Sequence, residues 1–105
     1  MASTEGSPYR LEPTGVADAQ IRALMAKAAA RGEQQEVRSS LSEVTRQLKT
    51  RPHDWGDPIH RTRKEGGMVY HAIQASLIVR YVVFESERVV GLLDVRAMTN
   101  TPLAE

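Results

Sequence analysis

The stretch "LIVRYVVFESERVVGLLDVRAM", Leu77 to Met98, decides the fold. Its two halves are rich in β-branched and aromatic residues, a composition that suits a pleated, half-buried strand, and they flank the polar segment Glu85 to Arg88. Such a short separator permits a hairpin turn, whereas parallel neighbours need a crossover of about a dozen residues or more. The halves are therefore expected to be adjacent antiparallel strands. Alternation sets Leu77, Val79, Tyr81 and Val83 on one face, with Ile78, Arg80, Val82 and Phe84 on the other. In the second half Val89, Gly91, Leu93 and Val95 oppose Val90, Leu92, Asp94 and Arg96. The uniformly apolar sets are expected beneath helices. That leaves Arg80, Asp94 and Arg96 on an uncovered face, made partly apolar by Val82, Phe84, Val90 and Leu92. An arginine between sheet neighbours loses hydration unless an anion or a carboxylate meets it, and Asp94 is the nearest partner in the pattern.

Upstream, Met68 to Ala75 alternates in the same way, and the short "ASL" separator makes it the first strand of a three-stranded antiparallel meander. Before it, "PHDWGDPIHRTRKEGG", 52–67, holds prolines and glycines with no helical or strand period, so an ordered loop is expected. Arg61, Arg63 and Lys64 crowd its second half. They read either as a solvated loop or as a rim for phosphate, the latter only if the run folds back beside Arg80. Trp55 reads as an anchor for this loop, and Asp54 and Asp57 as turn formers. His53, His60 and His71 are too widely spaced, in unlike elements, to make a metal motif.

Further upstream the period is helical. Ala17, Ile21, Leu24, Met25 and Ala28 share one face and Gly32 supplies a C-cap; Val37, Leu41, Val44 and Leu48 form a second stripe that stops before Pro52. The Gly32 hinge predicts a helical hairpin. Tyr9 and Leu11 alternate with Arg10 and Glu12 as a short edge strand closed by Pro13 and Gly15. The expected organisation is α+β: a disordered leader 1–8, one domain 9–98 and a short tail 99–105, with both helices on one face of the sheet.

Composition narrows the function classes. A chain of 105 residues fits one domain, and 41% hydrophobic with 26% charged residues is ordinary for a folded module. With no cysteine there is no disulfide framework, thiolate nucleophile or cysteine zinc site. No apolar run is long enough to span a bilayer, so no membrane partner is expected and the cytoplasm is the expected location.

Two segments carry a resemblance: "VYHAIQ", Val69 to Gln74, and "VRYVVFESERVVGLLDV", Val79 to Val95. With the order of elements around them, from about Tyr9 to Met98, the chain resembles the RelE/ParE superfamily of bacterial toxins. That resemblance implies the toxin of a toxin–antitoxin module, with an antitoxin protein as partner. It also implies a metal-independent endoribonuclease acting on mRNA at the ribosome, needing no cofactor. In that frame Arg80 matches the family's strand arginine, His71 lies near a position that carries Lys or Arg, and Arg96 precedes the usual second arginine by two or three positions. His71, Arg80 and Arg96 are the catalytic candidates, and Arg61, Arg63 and Lys64 the phosphate-binding ones. No tyrosine follows Tyr81, so the family's C-terminal tyrosine has no counterpart; Tyr70 and Tyr81 stand in as proton-transfer candidates beside His71. The alternative is a non-catalytic binding module or homodimer of the same fold whose semi-apolar face meets a partner. The gyrase-poisoning activity of the ParE branch is a third reading.

Overall fold

The computed structural model describes residues 8–62 and 66–98; Arg63, Lys64, the leader before Pro8 and the tail after Met98 lie outside the described residues. The elements run β1 (Arg10–Pro13), α1 (Gly15–Arg31), α2 (Gln34–Thr50), α3 (Pro52–Trp55), β2 (Asp57–Arg61), β3 (Met68–Gln74), β4 (Leu77–Phe84) and β5 (Val89–Ala97). The fold is α+β, as the sequence predicts. The five strands lie in the order β1-β5-β4-β3-β2, with β2 to β5 an antiparallel meander and β1 parallel to β5.

Local chemistry sets the helix ends. The Thr14 hydroxyl accepts from the Ala17 amide at 3.1 Å, starting α1. Gly32, at φ 73°, ends it in the left-handed conformation that glycine adopts without a Cβ penalty. Pro52 stops α2 and opens the single turn of α3. Both predicted helical stripes pack on the sheet: Ala17, Leu24, Ala28, Val37, Val44 and Leu48 are buried with Tyr70, Ala72, Leu77, Val79, Tyr81 and Val83. Burial of this set is the main driving force holding the helical hairpin to one side.

Two features depart from the expected pattern. Segment 52–67 is not simply a loop, because α3 and the edge strand β2 lie within it. Every residue of β2 is exposed, so its sequence carries no buried face to betray a strand; its pairing with β3 alone defines it. The second departure is a bulge in β5. Tyr81 pairs with Leu92 but Arg80 with Asp94, which makes Leu93 an extra residue and shifts the alternation by one. Val90 and Leu92, placed on the uncovered face by strict alternation, are instead buried under the helices along with Val95. Val89 and Gly91 take the other face. Beyond the bulge, Asp94 and Arg96 lie opposite Arg80 and Ile78, on the uncovered side as expected.

Nor is the uncovered face open throughout. At one end Gly67 lies on Val82 and Phe84, so closely that a Cβ there would sit 2.7 Å from each side chain. Thr62 fastens this segment, its amide donating to the Gly67 carbonyl and its hydroxyl accepting from the Gly67 amide, both at 2.8 Å. The other end, from His71 and Arg80 onward, faces solvent.

Candidate functional site

The strand register lays four ionisable residues in one row across the open end of the sheet: Asp57 on β2, His71 on β3, Arg80 on β4 and Asp94 on β5. Directly opposed residues on neighbouring strands project to the same side, so the four side chains form a line. His71 Nε2 is 4.0 Å from Asp57 Oδ2. Arg80 directs both Nε, at 2.7 Å, and Nη2 to Asp94 Oδ2. The next row holds Ile73, Ile78 and Arg96.

Asp94 is also held by Gln20 of α1, whose Nε2 donates to Oδ1 at 3.4 Å while its Oε1 accepts the Val95 amide at 2.8 Å. The Asp94 carboxyl is held below its ordinary value of 3.8, first by the hydrogen bonds from Arg80, with the charges of Arg80 and Arg96 and the Gln20 contact adding to them. A carboxylate depressed in the fold contributes stability that is present above its ordinary value and is lost as pH falls through the folded one. Thermal melts on acidification from roughly pH 5 to pH 3 are therefore expected to show a steeper loss for the wild type than for Asp94→Asn. Equal slopes would remove Asp94 from the acid transition.

The catalytic candidates are thus partly assembled. His71 and Arg80 face each other on adjacent strands, and Arg96 lies on the same side in the next row. Arg80 is not an isolated cation, since its salt bridge to Asp94 is formed. Arg61 pairs with Met68, three residues along β3 from His71, or about 10 Å. Met68 packs against the core, so the register sends Arg61 toward the helix-covered side, where its charge reaches the Tyr70 phenol. The two tyrosines offered for proton transfer are also under the helices. Tyr81 donates to the Pro52 carbonyl at 2.6 Å and accepts the Gly56 amide at 3.0 Å; burial pushes its phenol well above its usual range. Tyr70 stacks on Tyr81 with ring centroids 5.3 Å apart, and Trp55 stacks on Tyr81's ring at 5.8 Å, fulfilling the anchoring role expected of it.

Asp57 and Gln20 are the members that sequence reasoning missed. Asp57 reads as a turn former until β2 brings it to His71. Gln20 sits on a helix whose sequence gives no sign that it reaches round to β5. Beside the row, Trp55, Asp57, His71, Ala72, Ile73 and Ile78 line a cleft of about 360 Å³. Ile73 is 60% exposed and Ile78 37%, so the floor of the open face is apolar next to its charges.

A second polar cluster lies at the opposite end of the sheet. Glu85 Oε1 accepts from the Tyr9 hydroxyl and meets His53 Nε2, each at 2.6 Å, while His53 Nδ1 lies 2.6 Å from the Tyr70 hydroxyl. Donor counting assigns the neutral ring's proton to Nε2, facing the carboxylate, with the Tyr70 hydroxyl donating to Nδ1. Arg88 covers the Tyr9 ring at 4.1 Å and pairs with Glu85 at 3.2 Å. Burial, then the bond to Glu85, pushes the Tyr9 phenol up to about 12. This cluster ties the residue before β1, α3, β3 and the β4–β5 turn together.

The sheet order, the helical hairpin on one face and the four-stranded meander define a RelE-like fold. A chain of the toxin–antitoxin complex RelBE2 from Mycobacterium tuberculosis shares it, with a TM-score of 0.66 at 17% sequence identity over 90% of this chain and 95% of that one. No protein-family model and no curated protein sequence matches the chain. Among the described residues, no helix is long and apolar enough to cross a membrane, and no three His, Cys, Asp or Glu residues group as a metal site.

Proposed function

We propose that this protein is the toxin of a toxin–antitoxin module and an endoribonuclease that cleaves mRNA at the ribosome in the cytoplasm. The observation that carries the reading is His71 directly opposite Arg80 on the open end of a sheet whose fold is that of a chain in a toxin–antitoxin complex. Cleavage by attack of the 2′-hydroxyl on the neighbouring phosphorus forms one P–O bond and breaks the bond to the 5′ oxygen. The 2′ oxygen must lose a proton, charge must be stabilised on the phosphoryl oxygens, and the leaving oxygen must gain a proton. In this reading His71 makes one transfer, its Nε2 lying 4.0 Å from Asp57 Oδ2. Arg80 and Arg96 are placed for the phosphoryl charge. An antitoxin covering this face would silence it. The experiment is regulated expression in a bacterial host, with growth followed and mRNA mapped on ribosomes: growth arrest with new 5′ ends supports the reading. Normal growth with abundant soluble protein and intact mRNA overturns it.

A non-catalytic binding or dimerisation module is the second reading, favoured by exposed Ile73 and Ile78 beside the Trp55 cleft. It predicts the second outcome, together with a stable homodimer or a captured partner.

A further inference from the structure

Regular pairing beyond Tyr81 and Leu92 would set Leu93 opposite Arg80. The bulge inserts one residue and brings Asp94 there instead. Gln20 then holds the carboxylate from α1, contacting both Asp94 Oδ1 and the Val95 amide next to the bulge. Arg80 commits Nε and Nη2 to the remaining oxygen, Oδ2. Those two nitrogens are the fork with which an arginine grips a phosphate. The Arg80 side chain is 49% exposed and Asp94 only 18%, so a fixed, partly buried anion sits on a half-exposed cation. With Arg80 half exposed, solvent screens the pair, so its contribution to the fold is modest and the guanidinium stays within reach of an approaching anion.

We propose that Asp94 is a resident competitor for RNA phosphate at Arg80, held in place by the β5 bulge and by Gln20. This regulates the phosphate face and rests on the RNA-cleavage reading above. A phosphate reaching Arg80 has to displace or share the carboxylate. An RNA touching only the row therefore binds weakly, and a strand fixed by further contacts elsewhere takes the guanidinium over. Arg96, on the same side in the next row, supplies attraction that Asp94 offsets, and the His71 ring lies on the other side of Arg80.

The test is equilibrium binding of the full chain to a fluorescently labelled single-stranded RNA oligomer across a salt series. Asp94→Asn is expected to bind roughly three- to tenfold tighter at low salt, as an exposed competing charge is removed. Its log K against log salt should be steeper by about 0.7, one more phosphate neutralised. Arg80→Ala should weaken the wild type by no more than about twofold, yet weaken Asp94→Asn roughly tenfold, a coupling read from the double-mutant cycle. Asp94→Ser gives the same direction if asparagine disturbs the bulge, with thermal melts confirming that each variant is folded. Unchanged or weaker binding by both folded Asp94 variants, or an equal Arg80→Ala cost in the two backgrounds, overturns the proposal. If His71→Ala/Arg80→Ala/Arg96→Ala binds RNA as tightly as wild type, the phosphate face itself is wrong, and the proposal falls with it.

Discussion

Gly56→Ala is expected to lower the melting temperature by roughly 10–20 °C, a loss of about 2–3 kcal/mol. A Cβ at this position would stand 2.6 Å from the His71 carbonyl oxygen and 2.6 Å from the Tyr81 hydroxyl. Neither neighbour can yield easily. The carbonyl belongs to β3, a strand paired on both sides by β2 and β4, and the hydroxyl is fixed between the Pro52 carbonyl and the Gly56 amide itself. Relief requires Gly56 to withdraw, which breaks its bond to Tyr81 and moves β2 away from β3. The substitution should therefore also displace Asp57 from His71. Gly15→Ala is the control, since nothing lies within 4 Å of a Cβ there, and it should melt close to wild type. Equal melting of the two variants would contradict the placement of the 52–57 segment.

The second large effect concerns the row itself. On the proposed RNA-cleavage reading, Arg80→Ala and His71→Ala should each reduce mRNA cleavage on ribosomes by about a hundredfold or more, the range for removing a charge stabiliser or a proton-transfer group. If Asp94 competes for Arg80 as proposed, the arginine loss should fall on kcat and leave KM little changed, because a phosphate contact of Arg80 would be strongest where charge develops. Arg80→Lys should rescue poorly, because an ammonium cannot make the two-point contact that the guanidinium makes through Nε and Nη2. Arg61→Ala is expected to have a far smaller effect, since its register points it away from this row. An Arg61→Ala loss as large as that of Arg80→Ala would put the active groups on the other side of the sheet.

Much of the fold is legible in the sequence because burial imposes periodicity. Leu77, Val79, Tyr81 and Val83 alternate because one face of β4 is dry, and Val37, Val44 and Leu48 recur at helical spacing for the same reason. Legibility fails where tertiary contacts, not burial, decide. The segment Asp57 to Arg61 has no dry face, so nothing in it distinguishes a strand from a loop. The β5 bulge is met by Gln20, which accepts the Val95 amide beside it, a contact between residues 75 apart in the chain that no local pattern encodes. Those two features shape the site: one brings Asp57 to His71, the other Asp94 to Arg80. Arg80, Asp94 and Arg96 could be placed on one face in advance, but that His71 and Asp57 join their row comes only from the strand register.

The central claim is that the solvent-facing end of the sheet, at the row through His71 and Arg80, is where RNA phosphate binds. Titration of the isotope-labelled chain with a single-stranded RNA oligomer, followed by NMR, tests it most directly. The account predicts shifts concentrated at His71, Ile73, Ile78, Arg80, Asp94 and Arg96, with the α1 and α2 outer surfaces silent. Shifts confined to the helices or to the Tyr9, His53 and Glu85 end, with this row unmoved, would contradict it.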